Sequence, residues 1–221
     1  MENETQNKKL KILCLHGFRT SGAILRKLVE RWPQPLLEKL DLVYMDAPYP
    51  AQGKSDVDGF YDPPFYEWFQ SDEGFKEFYN FEECLEKIQE FMLSNGPFDG
   101  VLGFSQGALL TAAIPGMQRE GVALSKVPKV KFVIMASGAK FGGSKFGIPK
   151  LASDAFSTPI TTPSIHIIGE TDFMKEESIK LVESFVDPLV IHHPKGHTIP
   201  RLDDKSLDMF CNFIAKIQDL P

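Results

Sequence analysis

The chain has 221 residues, 43% hydrophobic and 24% charged, enough for one α/β domain whose core needs no staple. Lys and Arg number 24 against 30 Asp and Glu; the net charge of −6 argues against nucleic acid or an anionic membrane as main partner. Three scattered cysteines, Cys14, Cys84 and Cys211, form no disulfide framework and no metal knuckle, and no apolar run reaches the ~18 residues of a membrane span.

Residues 1–8 are expected to be a disordered polar tail, with no signal-peptide core behind Lys8 and Lys9, and residues 9–221 a single domain. The expected location is the cytoplasm, with no address signal to separate it from the nucleus. Residues 11–15 predict a short apolar strand running into His16-Gly17. Ser21 can cap a helix carrying Ile24, Leu25, Leu28, Val29 and Trp32, which Pro33 closes. Residues 42–45 predict a second strand. Asn80 and Glu83 have capping-box spacing and open a helix with Leu85, Ile88, Phe91 and Met92 on one face, stopped by Asn95-Gly96-Pro97. Residues 101–104 read as strand, 106–118 as a helix of small residues, 130–135 and 165–168 as strands. Residues 175–185 read as helix, 189–191 as strand, and 203–217 as a closing helix. Short, continuously apolar strands alternating with helices imply a doubly wound, mostly parallel sheet covered on both faces.

Two stretches break that rhythm. Residues 49–81 hold eleven of the chain's 25 aromatic side chains and read as an insertion. Residues 138–162 are rich in Gly, Ser, Pro and Thr. Long connections in a compact domain are usually functional, as lids and pocket walls, although the aromatic stretch also suits a satellite core under a long loop.

Gly103-Phe104-Ser105-Gln106-Gly107 fits the strand-to-helix turn that exposes a strained nucleophilic serine, with glycines where neighbouring backbone must approach closely. The five-residue string is weak alone; its position between a strand and a helix strengthens it. A serine hydroxyl needs a base, and of five histidines His197 lies in a Gly- and Pro-rich turn after the last strand, where it can lean over the sheet edge. The base needs an acid. Asp172, just after the penultimate strand, stands at that same edge, with Glu170 the nearest rival and Asp187 the next. The order Ser105, Asp172, His197 is the chain order of α/β-hydrolases. The developing oxyanion needs two donors: the N–H of Gln106, after the nucleophile, and the N–H of Phe18, in the loop after the first strand. His16 is expected to orient that loop rather than act as a second base.

Several segments together resemble the FSH-type serine hydrolases, a group of small α/β-hydrolases. They are residues 15–22 (LHGFRTSG), 66–69 (YEWF), 103–108 (GFSQGA), 169–172 (GETD) and 194–200 (PKGHTIP). The resemblance implies esterase or thioesterase activity, no cofactor, and Ser105, Asp172 and His197 as a catalytic triad, but no one substrate. The expected reaction is hydrolysis of a small to medium carboxylic ester through an acyl-Ser105 intermediate, or of a thioester by the same machinery. Phe65, Trp68, Phe69 and Ile199 are expected to wall an apolar pocket. Arg19 either binds a distal carboxylate or is exposed and irrelevant. The partner is a small-molecule substrate, with a homodimer possible. The rival class is a hydrolase fold kept as a non-catalytic binding module; a pseudo-enzyme commonly loses a triad member, and none is missing.

Other motifs fall away. Gln52-Gly53-Lys54-Ser55 lacks the upstream glycine of a P-loop, since that position is Pro48. His193 and His197 have helical zinc spacing, but Pro194 and Gly196 forbid the helix, so no metal is expected.

Overall fold

The computed structural model describes residues 8–220. Residues 1–7 of the expected tail lie outside that range; Lys8 and Lys9 are exposed coil. Six strands form the central sheet: β1 (Leu10–Leu15), β2 (Leu40–Met45), β3 (Gly100–Phe104), β4 (Phe132–Ala136), β5 (Ser164–Gly169) and β6 (Leu189–His193). All pairings are parallel, in the order β6-β5-β4-β3-β1-β2. β3, β4 and β5 are buried at every residue, which is why they read as unbroken apolar runs rather than alternating ones.

The helices α1 (Gly22–Val29), α2 (Phe81–Asn95), α3 (Gln106–Glu120), α4 (Lys175–Val182) and α5 (Asp204–Gln218) cover both faces. Leu13, Leu15, Val101, Val133 and Met135 point to one face and pack with α2 and α3, while Ile12, Cys14, Leu102, Ile134 and Ile165 point to the other, under α1 and α5. This is the doubly wound α/β sandwich expected. α3 is buried from Gln106 to Gln118, and a Cβ on Gly107 would fall inside the Leu15 carbonyl oxygen, so glycine there lets α3 lie directly against β1.

Ser21 caps α1 by accepting the Ile24 N–H at 3.3 Å. Asn80 does not cap α2: its backbone is left-handed (φ 60) and its amide donates to Gln70 instead, so the expected capping box is absent. Residues 49–81 contain two small antiparallel ribbons, Tyr49–Pro50 with Tyr66–Glu67 and Gln70–Ser71 with Phe78–Tyr79. Their aromatics do not form a separate satellite. Phe69, Phe81 and Phe141 pack edge-on as part of the main core, and Phe141 comes from the second irregular stretch. The two stretches are also joined by the Gly147 N–H, which donates to the Phe75 carbonyl.

Register decides where function can sit. Leu15 faces both Met45 and Gly103, Phe104 faces Ala136, Ala136 faces Ile167, and Gly169 faces His193. The segments that leave β1, β3, β4, β5 and β6 therefore emerge side by side at the carboxyl edge of the sheet. β1 and β3 flank the point where the strand order reverses, the crevice in which open α/β sheets bind ligands.

Candidate active site

Ser105 is the single residue between β3 and α3, with φ 54 and ψ −114. A non-glycine residue there stores about 1–3 kcal/mol of strain, held only because its surroundings over-determine it. The Ser105 N–H donates to Ala136 O at 3.1 Å, and its carbonyl accepts from Ala108 and Leu109 N–H. The strain lifts the hydroxyl out of the sheet edge.

From that hydroxyl a continuous line of hydrogen bonds runs inward. Ser105 Oγ lies 2.9 Å from His197 Nε2, and His197 Nδ1 lies 2.9 Å from Asp172 Oδ1. A carboxylate only accepts, so Nδ1 carries the proton and Nε2 is left free to accept from the serine. Asp172 Oδ1 also accepts the Met174 N–H at 2.8 Å, and Oδ2 accepts the Ser137 hydroxyl. The Asp172 side chain is 1% exposed. Burial alone would push its carboxyl up, but the hydrogen bonds from His197, Ser137 and Met174 outweigh it and hold the group below its ordinary value. Glu170 instead pairs with Lys175 and His192 on the surface, and Asp187 precedes β6 at the other end of the sheet. The line can pass a proton from Ser105 Oγ to His197 Nε2 while Asp172 holds the ring.

The loop after β1 is built around His16. Its Nε2 accepts the Ala47 N–H at 2.9 Å, which leaves the proton on Nδ1 to donate to Gly17 O at 2.8 Å. The ring is fully buried, and that desolvation pushes its pKa down to about 4, so it stays neutral and works as an orienting group, as expected. The His16 carbonyl accepts the Trp68 indole N–H and the Gly107 N–H. A Cβ on Gly17 would lie 3.4 Å from Ser105 Cβ, which brings the loop against the serine. Among the described residues neither the Phe18 N–H nor the Gln106 N–H donates to a protein acceptor. The Gln106 side chain grips the insertion: Oε1 accepts the Trp68 N–H at 2.9 Å and Nε2 donates to Phe69 O at 2.8 Å.

A model of the serine hydrolase (FSH1) family matches residues 4–209. The chain belongs to that family. An esterase of Anopheles gambiae is 31% identical over 203 residues, spanning 87% of this chain and 73% of that one. The mouse esterase OVCA2 is 30% identical over 210 residues, spanning 86% and 89%. The crystal structure of Zea mays acyl-protein thioesterase 2 superposes with a TM-score of 0.61 at 18% identity, covering 96% of this chain and 94% of that one; it shares the fold. As a family member the chain is a serine hydrolase of the α/β-hydrolase fold.

In this hydrolase the residues expected to wall the pocket are not brought to an open surface. Trp68 is fully buried, with its indole tied to His16; Phe69 is 3% exposed within the aromatic core. Ile199 is buried in the core on the α1 and α5 face. Phe65 is half-buried, and its carbonyl accepts the Ala51 N–H. Arg19 gives its Nε to the buried Glu67 at 3.1 Å and an Nη1 hydrogen bond to Lys54 O, so its charge is already spoken for. Aromatic content marks burial; it cannot tell a ring facing substrate from one facing the core. The exposed rings near the site are others. Phe173 is 71% exposed with its ring 4.4 Å from that of His197, and Phe18 is 44% exposed with the Arg19 guanidinium over it. Ser137 was also missed, although Ala136-Ser137-Gly138 ends a strand at the same edge as Ser105.

No helix of the described residues is long and apolar enough to cross a membrane.

Proposed function

We propose that this family member hydrolyses small to medium carboxylic esters through an acyl-Ser105 intermediate. What supports the reading is the unbroken line from Ser105 Oγ through His197 to Asp172, with both heavy-atom distances at 2.9 Å. His197 Nε2 takes the Ser105 proton as Oγ attacks the ester carbonyl, and Asp172 stabilises the imidazolium. The N–H groups of Phe18 and Gln106 receive the oxyanion, each worth about 3 kcal/mol in such sites. Collapse of the tetrahedral intermediate breaks the acyl–oxygen bond, and His197 returns the proton to the leaving alcohol. Water then attacks the acyl-serine, giving its proton to His197; the second collapse returns that proton to Ser105 and frees the acid. Phe18 and Phe173, rather than the buried aromatics, flank the apolar part of the substrate, with burial worth ~0.8 kcal/mol per methylene. The three cysteines are unpaired, which fits a reducing cytoplasmic setting.

The test is steady-state hydrolysis of p-nitrophenyl esters from two to ten carbons by wild type and Ser105→Ala, with intact mass after a fluorophosphonate probe. The expected result is a kcat/KM that climbs with chain length, a single adduct on wild type alone, and a loss of about 10³-fold or more in the variant. Equal turnover by both proteins would sink the acyl-serine reading. Matched oxygen and thio esters separate esterase from thioesterase.

A further inference from the structure

Behind the turn that carries His197 lies a concavity of about 390 Å³, whose lining includes none of Ser105, Asp172 and His197. Its walls come from the end of β6, residues 194–195 and 198–203, the first turn of α5, and Arg31. The charged and titratable side chains in those walls are Arg31, His192, His193, Lys195 and Arg201, against one carboxylate, Asp203. That carboxylate is turned to the helix, where it accepts the Ser206 N–H at 2.8 Å. His192 is engaged by Glu170. Arg31 donates to the carbonyls of Ile199 and Leu28 but meets no carboxylate, and the side chains of Lys195 and Arg201 have no hydrogen-bond or ion-pair partner among the described residues. Three unneutralised cations thus gather at one cavity in a chain of net charge −6. Like charges repel, and such a gathering is favoured by an anion between them.

A second observation points the same way. His193 is 6% exposed, and its Nδ1 accepts the Lys195 N–H at 3.3 Å, which leaves the ring proton on Nε2. Nε2 is buried without any partner. A buried donor with nothing to donate to is costly, and His193 is one of the residues that line the cavity that collects the cations. Guanidinium groups match phosphate oxygens two at a time, and the volume exceeds that of a lone phosphate.

We propose that this cavity binds a phosphate group, free or carried on a small organic molecule, and that its occupant acts on the His197 turn. The coupling is mechanical. Arg31 donates to Ile199 O at 2.6 Å and the Trp32 indole to Pro200 O at 3.1 Å, so the turn is clasped two and three residues beyond His197. An anion that draws Arg31 loosens the first of those clasps. Binding itself does not depend on the proposed esterase reaction; the effect on rate does.

Calorimetric titration with inorganic phosphate and, separately, glycerol phosphate, each at ionic strength matched with chloride, tests the site. One saturable site is expected in wild type, with tighter binding of glycerol phosphate if the natural ligand is an organic phosphate, and of inorganic phosphate if it is the free ion. Lys195→Gln combined with Arg201→Gln should weaken it by about tenfold or more while ester turnover without phosphate stays unchanged. Arg201→Lys, which keeps the charge but loses the two-pronged guanidinium, should fall between wild type and the double variant in affinity. Saturable phosphate should also change ester turnover in wild type but not in the double variant. The absence of saturable heat, or equal affinity in the double variant, overturns the site; binding without any change in rate overturns the coupling. A chain that binds phosphate yet turns over no ester would count against the esterase reading and leave the site standing.

Discussion

The Asp172 carboxylate accepts from His197, from Ser137 and from the Met174 N–H, so its charge is spread over three donors and its orientation is fixed from both oxygens. Ser137 is buried and sits at φ 54, one residue beyond β4, with its own N–H held by Ile167 O. Its hydroxyl hydrogen-bonds to Asp172 and to neither His197 nor Ser105, so in the proposed reaction it acts through Asp172. A hydrogen bond to a charged group is worth about 1.5–3 kcal/mol. Ser137→Ala is therefore expected to lower kcat by about tenfold or more with KM nearly unchanged, because the imidazolium of the transition state loses support while the ground-state ester does not. A variant with wild-type kcat and only reduced stability would make Ser137 a packing residue. Arg19 and Glu67 show the complementary case: the charge that looked available for a substrate neutralises a carboxylate that is 1% exposed, and a buried carboxylate without a partner would be strongly destabilising.

At the scale of elements, β1, β3 and α3 form one unit whose spacing sets the distance between the Phe18 and Gln106 N–H groups. Gly107 controls that spacing, since a Cβ there would fall on the Leu15 carbonyl; Gly121, at the end of the same helix, has φ +71 and open space around it. Gly107→Ala should destabilise by about 1–3 kcal/mol through overpacking and also cut activity by more than tenfold, as α3 is pushed off β1. Gly121→Ala should cost about 1 kcal/mol through backbone strain and leave kcat alone. Urea unfolding and ester kinetics on both proteins check the contrast; equal losses of activity would mean that α3 does not set the site. These central elements are the ones legible in the sequence: the strands of residues 101–104 and 165–168 are short apolar runs, and Ser105, Asp172 and His197 follow strands at one edge. What was not legible depends on neighbours distant in the chain. Asn80 has the composition of a cap, but Gln70 takes its amide. Phe69 packs against Phe78 and Phe81 nearby but also against Phe141, 72 positions on, which ties it into the main core, and nothing near Phe69 announces that partner. Likewise Phe173 looks like any apolar residue after a turn until the fold sets it beside the His197 ring.

Across the whole molecule, two histidines are buried where protonation is disfavoured. His16 lies under the loop after β1, and His166 lies within β5 against the edge of Phe185; burial lowers the first to about 4 and the second to about 3. His193 is lowered in the same direction by the same cause. Both strongly shifted groups are neutral in the native state above those values, whereas in the unfolded chain they bind protons below about 6.5. The unfolded state therefore takes up more protons as pH falls, and stability that is fully present above 6.5 is lost progressively towards pH 4 and 3. Asp172 has its folded value depressed too, but its contribution is lost only as pH falls below the unfolded carboxylate value of 3.8, under the range from pH 7 to 5. At about 1.4 kcal/mol per pH unit for each proton, lowering the pH from 7 to 5 should remove roughly 2 kcal/mol per histidine. Urea titrations at the two pH values should show the loss in wild type and about half of it in His166→Gln, whose side chain has no proton to gain. His166 is the position to change because it lies far from the serine hydroxyl in the chain's hydrogen-bonding scheme, its Nε2 meeting only Ser164 Oγ. A pH dependence that is the same in His166→Gln and wild type would mean that His166 is protonated in the native state, and that the acid sensitivity of the fold comes from His16 and its loop.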